Sequence, residues 1–327
     1  MRYNIRHITR FTYESPISES VMEVRMQPRS EGPQRCLEFA LTTSPAARVL
    51  TYQDHGGNMV HHFDIPGSHA LLTVSMEALI DCDAVRPLPY RLGPGAWGQL
   101  DALTADGACW EYLAPSVFAR STPLLDALRA ELALERGNDP MVMLRRLMGE
   151  MFQRFEYAPQ STRVDSPIDD ALSERRGVCQ DFAHIFIALV RPLGVPARYV
   201  SGYLFRDVSS NDRSSDGATH AWVEVLLPEL GWVGFDPTNN LIAADRHIRA
   251  AVGRDYADVP PTRGVYKGLS TVRNELAVAV RVGSTLTPAA EVELVPFTPW
   301  KERQGGQTPD EADAAAQLRR HQQEQQQ

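Results

Sequence analysis

An α+β fold is predicted for this 327-residue chain, and three changes of pattern along it carry the prediction. Apolar and polar residues alternate through roughly the first 80 positions, as half-buried antiparallel strands require. Beyond about position 115 the period becomes helical, and from Ala197 it returns to that of strands. Helices followed by an antiparallel sheet, rather than interleaved with parallel strands, define an α+β core, and an antiparallel β-sandwich stands in front of it. The length favours two domains, and 43% hydrophobic residues are enough to bury a core.

In the first domain, "YNIRHITRFTY" alternates, and "VLTYQDHGGNMVHHFDI" reads as two strands joined by a Gly-Gly-Asn turn. The stretch from Arg86 to Pro115 contains "RPLPYRLGPG" and no clear periodicity, so the first domain is assigned to 1–115 and ends in a loop-rich connection. The core is assigned to 116–266. "STPLLDALRAELALERG" has a Ser/Thr-Pro start and a Gly stop, and "DPMVMLRRLMGEMFQRF" opens with Asp139 as N-cap and Pro140 in the first turn. A third helix starts at "SPIDDAL", where Ser166 and Asp169 resemble a capping box, and ends near Gly177. A fourth begins around Cys179, carries Phe182, Ile185, Phe186, Leu189 and Val190 on one side, and stops at Gly194. Strands follow in "ARYVSGYLF", "THAWVEVLL" and "GWVGFDPT", and "ELAVAVRV" gives a C-terminal β extension over 267–298. The remainder, 299–327, is polar and Gln-rich, with the composition of a disordered tail.

The net charge of −8 leaves no general basic field, so nucleic acid is excluded as a partner. The start has no apolar signal-like region, and the longest apolar run, "IFIALV", is too short to cross a bilayer. No membrane association and a cytoplasmic location are therefore expected. Cys36, Cys82, Cys109 and Cys179 form no CxxC pair and no zinc-finger spacing, which suits four free thiols in a reducing compartment. His55, His61, His62 and His69 do not make a metal site, because adjacent His61 and His62 point to opposite faces of a strand. No metal and no cofactor are expected.

Cys179 stands apart from the other three. A thiol at a helix N-terminus faces unpaired backbone N–H groups and the positive end of the macrodipole, which favour a thiolate. Gly177 lets a substrate backbone approach, and the amide of Cys179 can donate to an oxyanion. Asp181 opposes the thiolate by its charge and is read as a helix cap. A thiol nucleophile needs a base, and the base needs an orienting acceptor. In "THAWVEVLLPELGWVGFDPT", His220, Trp222 and Glu224 share one strand face, as do Trp232, Gly234 and Asp236. His220 and Asp236 are each eight residues from Pro228, so a hairpin closed symmetrically there sets them directly across from one another. The predicted arrangement is Cys179, His220 and Asp236.

The segments "GVCQDFAHIFIALVRPLGVPARYVSGYL", "THAWVEV" and "GWVGFDPTNN" resemble the three core motifs of the transglutaminase-like superfamily, in order. "TRFTYESPISESVMEVRMQPR", "DHGGNMVHHFDI" and "GRDYADVPPTRGVYKG" are similar to segments that flank that core in bacterial members. The resemblance implies a papain-like fold in which Cys179 is the nucleophile, His220 the general acid/base and Asp236 its orienter. It implies acyl transfer on a peptide or protein amide through an acyl-thioester, with hydrolysis by a cysteine peptidase or amidase favoured. Transamidation and a non-catalytic binding protein of the same fold are the alternatives. The calcium-binding loops and the oxyanion tryptophan of animal transglutaminases have no counterpart in the sequence. Tyr157 in "FEYAP" is the candidate oxyanion hydroxyl, with core packing as its other reading.

Overall fold

Strict alternation builds the first strand. In β1 (Arg2–Ile17), Tyr3, Ile5, His7 and Thr9 are buried while Arg2, Asn4 and Arg6 face solvent, the burial pattern of a strand with one face on a core. The computed structural model describes residues 1–84, 87–206, 212–214, 217–268, 274–284 and 295–297; the Gln-rich stretch 299–327, expected to be disordered, lies outside them. β1 pairs antiparallel with β6 (His69–Cys82), Ile5 opposite Ala78, and β3 (Gln34–Ser44) flanks β6. A second antiparallel sheet contains β2 (Glu19–Val24), β4 (Leu50–Gln53) and β5 (Met59–Ile65). The two sheets enclose Tyr3, Ile5, Met22, Val24, Phe63 and Met76 in one apolar cluster.

The sandwich is completed from the other end of the chain. β14 (Thr262–Lys267) pairs with β2, Thr262 opposite Val24. β15 (Asn274–Ser284) runs along β1 from Tyr3 opposite Ser284 to Tyr13 opposite Asn274, with β16 (Val295–Phe297) outside it. The segment 267–298, read from sequence as a C-terminal β extension, thus adds its described strands to the N-terminal sheets.

The stretch read as a loop-rich connection holds a helix, α1 (Ala96–Thr104), and a 3₁₀ turn over Trp110–Tyr112. The helix escapes a periodicity reading because it is short, follows left-handed Gly95, contains Gly98 and buries only Ala96 and Leu100. Leu100 packs in the same cluster as the helices that follow. In α2 (Pro123–Glu131) the Thr122 hydroxyl accepts from the Leu125 N–H, and the helix ends well before Gly137. In α3 (Pro140–Arg154) Asp139 Oδ1 accepts from the Met141 and Val142 amides, as the sequence suggests, and buries Leu144, Leu147, Met148 and Met151. α4 (Ile168–Glu174) lacks the expected capping box: Ser166 accepts from Arg163 N–H, and Asp169 takes the Thr122 hydroxyl instead. β7 (Glu156–Tyr157) pairs parallel with β8 (Arg176–Gly177), immediately before α5 (Cys179–Val190).

A third antiparallel sheet backs α5. Its strands are β9 (Ala197–Leu204), β10 (His220–Leu227), β11 (Gly231–Asp236), β12 (Leu241–Ile242) and β13 (His247–Gly253), in the order β12-β11-β10-β9-β13. Ala221, Val223 and Phe235 pack in one cluster with Phe182, Ile185 and Phe186 of α5. Further along the same sheet Tyr203, Ile248 and Ala250 enter the sandwich core, and the Tyr203 hydroxyl donates to the Met26 carbonyl at 3.0 Å. Flanked by β10 and β13, every residue of β9 is buried. No helix among the described residues is long and apolar enough to cross a membrane.

Candidate active site

Cys179 is the first residue of α5 and is only partly buried, in line with its sequence-predicted position at a helix mouth. Asp181, two residues on, is buried and turns its carboxylate back to accept from the Val178 amide at 2.8 Å and from the Thr162 hydroxyl. It is the helix cap that the sequence suggests. Burial, opposed by these two donors, pushes its carboxyl up to about 6. Gly177 makes this cap possible: a Cβ there would stand 2.8 Å from Asp181 Oδ2 and 3.2 Å from the Ala171 Cβ. Its missing side chain is thus a packing requirement of the cap, a role the sequence reading did not assign.

His220 and Asp236 come together by a different register from the one expected. Leu227 pairs with Gly231 and Glu224 with Gly234, so the hairpin is centred on Glu229, not Pro228. Glu229 and Gly231 both have positive φ, 63° and 70°, which closes a three-residue loop of Pro228, Glu229 and Leu230. The offset is two residues in the pairing, so the alternation is kept and His220 and Asp236 remain on one face as diagonal neighbours. Their side chains bridge the diagonal, with His220 Nε2 donating to Asp236 Oδ2 at 2.8 Å. The even-numbered face that carries them is turned away from the body of α5, which packs on Ala221, Val223 and Phe235. Only the N-terminal end of the helix reaches His220, the first residue of its strand.

The electrostatics follow from this placement. Burial disfavours a charge on His220, yet Asp236 first and Cys179 second outweigh it and raise the imidazole well above its ordinary value. With Nε2 committed to Asp236, Nδ1 has no hydrogen-bond partner among the described residues and is the atom left to face the Cys179 thiol. Burial works against the Asp236 carboxylate, but His220 and His247 hold it far below the usual carboxylate range. Five donors saturate it. Oδ2 takes His220 Nε2, Asn239 Nδ2 at 2.8 Å and His247 Nε2 at 3.1 Å, and Oδ1 takes the Thr238 and Asn239 amides. Asn239 and His247 are absent from the sequence reading. Asn239 follows Asp236 by three residues, the spacing of a local Asx-type turn; His247 has no local signal, since only the pairing of β13 with β9 brings it near.

Tyr157 lies opposite Gly177 in the parallel β7–β8 pair, and Gly177 precedes Cys179 by two residues; the Tyr157 side chain is half-buried against the helical core. His220, Asp236 and His247 are spaced closely enough to hold a metal ion, but the hydrogen bonds just described already account for every facing atom. Burial raises the thiols of Cys36 and Cys109, and raises that of Cys82 to about 11.

A helix-borne thiol meeting a strand-borne imidazole on a buried carboxylate is the arrangement of a papain-like fold. The transglutaminase-like superfamily profile matches residues 129–237, and the bacterial transglutaminase-like N-terminal region matches residues 3–81. An uncharacterised protein of Mycobacterium leprae is 32% identical over 281 residues, spanning 85% of this chain and 98% of its own. The chain belongs to the transglutaminase-like superfamily, with the bacterial N-terminal region in front of the core. A solved Cytophaga hutchinsonii chain, described as a candidate cysteine protease, shares the fold with a TM-score of 0.68 at 21% identity, over 92% of this chain and 94% of that one. A Pseudomonas aeruginosa protein-glutamine gamma-glutamyltransferase is 30% identical over 138 residues, 38% of this chain and 21% of its own length.

Proposed function

We propose that the protein is a thiol-dependent acyl-transfer enzyme that hydrolyses a peptide or isopeptide-like amide of a peptide or protein substrate, through an acyl-thioester on Cys179. The observation that carries this reading is the single free direction of His220: one ring nitrogen is clamped by Asp236 at 2.8 Å, and the other is left for Cys179. Cys179 Sγ adds to the amide carbonyl carbon while its proton is held on His220 Nδ1. The carbonyl oxygen gathers negative charge and takes hydrogen bonds from the Cys179 amide and the Tyr157 hydroxyl. Collapse breaks the C–N bond, with His220 returning the proton to the departing amine. Water, deprotonated by the same imidazole, then adds to the thioester and releases the acid and the thiol. Asp236 keeps Nε2 as the donor throughout and stays ionised.

The four free cysteines suit a reducing interior, and the acidic net charge gives no field for nucleic acid, so a cytoplasmic peptide or protein amide is the partner proposed. The Pseudomonas relative, named for glutamyl transfer to amines, supports a second reading in which an amine replaces water. Both are tested together by incubating a peptide library with the enzyme, with and without a primary amine, and following Cys179 and the products by mass spectrometry. Hydrolysis gives an acyl mass on Cys179 and a free acid; transamidation gives the amine adduct. No acyl mass on Cys179 with any peptide contradicts both.

A further inference from the structure

We propose that His247 is a positioning residue of this site: by donating from Nε2 to the oxygen that holds His220, it fixes the Asp236 carboxylate and limits how tightly that carboxylate retains a proton on His220. The inference deepens the acyl-transfer reading and rests on it. Three observations support it. His247 Nδ1 accepts the Ala244 N–H at 3.4 Å, so the ring hydrogen sits on Nε2, 3.1 Å from Asp236 Oδ2. Burial keeps this imidazole neutral, so it adds a dipole and not a second positive charge beside His220. Its ring also packs edge-on to Trp222 at 5.2 Å, and Trp222 in turn stacks on His220 at 6.0 Å. His247 thus touches both supports of the base, the carboxylate and the aromatic wall.

The physical consequence follows from the shared oxygen. Each donor on Oδ2 disperses negative charge that would otherwise stabilise the imidazolium of His220. A base must give its proton up to the departing amine, so an acceptor left to His220 alone would hold that proton too firmly. The groups that bear on His220 are Cys179 from α5, Asp236 from β11 and His247 from β13. Behind His247, Arg246 is engaged by Asp212 at 2.9 Å.

The test compares His247→Leu, which loses the donor, with His247→Gln, whose amide can reach the same oxygen. The readouts are the His220 titration by ¹⁵N NMR and the pH dependence of Cys179 alkylation by iodoacetamide. Circular dichroism checks the fold, and His247→Phe replaces the leucine variant if that variant does not fold. In the donor-less variant the His220 titration and the upper alkylation step move up by about one unit, and Gln returns both towards wild type. A folded donor-less variant that titrates as wild type, or a Gln variant shifted as far as Leu, overturns the proposal. The acyl-transfer reading fails separately, when His220→Ala leaves wild-type alkylation of Cys179 unchanged.

Discussion

His184 and His220 are both buried in the same half of the molecule, and burial pushes both towards the neutral form. Only one stays neutral. His184, five residues along α5 from Cys179, stacks on Phe118 at 5.2 Å and packs at a tilt on Tyr199 at 5.0 Å, and its Nε2 accepts the Tyr256 N–H. Burial, helped by Arg191, takes it down to about 3. His220 meets the same cost, but Asp236 and the thiol reverse it. Depth alone leaves an imidazole neutral and packed, and it is the carboxylate beside His220 that favours its charged form.

The largest effect that sharpens this contrast is on turnover. His220→Ala removes activity, by about 10⁴-fold or more. His184→Phe leaves turnover at the wild-type level and lowers stability by about 1–3 kcal/mol, because the part-buried Tyr256 N–H loses its acceptor. Paired turnover and urea-melt measurements on the two variants check this, and a His184 variant as inactive as the His220 variant would break the contrast.

Asp236→Asn comes next, with a loss of about 10²–10⁴-fold, smaller than that of His220→Ala because the orienter acts through the base. Without the carboxylate, burial acts on His220 as it does on His184, and the alkaline limb of the pH–rate profile moves to lower pH. A limb that stays in place would contradict the electrostatic account.

Stability should divide by pH with opposite signs. The pKa of His184 is depressed, so its share is full above the unfolded value near 6.5 and is lost as pH falls towards about 3. The pKa of His220 is raised, so its share is full below about 6.5 and is lost as pH rises through the folded value. Urea midpoints plotted against pH should therefore flatten below about 6.5 in His184→Phe and above it in His220→Ala. A change of stability alone is predicted for Gly177→Ala, where the added carbon must displace the Asp181 cap. It costs about 1–3 kcal/mol, read as a lowered urea midpoint.

Much of this site was legible because its signals are local. Cys179 follows a glycine at the head of an apolar helix pattern, and His220 and Asp236 obey the period-two rule on adjacent strands. The hairpin register was not legible, since five residues of "LPELG" admit more than one closure and only the left-handed Glu229 selects this one. A two-residue offset spares the face, which is why the pair survived the error. His247 could not be read at all: it approaches Asp236 through the crossing of β9 between β10 and β13, a non-local fact. α1 was hidden for the reverse reason, having too few apolar positions to show a period.

The most direct measurement is the rate at which iodoacetamide labels each of the four cysteines near neutral pH, resolved by peptide mass spectrometry, in wild type and in His220→Ala. Cys36, Cys82 and Cys109, whose thiols burial pushes up, should label slowly in both proteins. Cys179 should label much faster than these in wild type and lose that advantage in His220→Ala. Cys179 labelling no faster than the other three, or equally fast with and without the imidazole, would contradict the account.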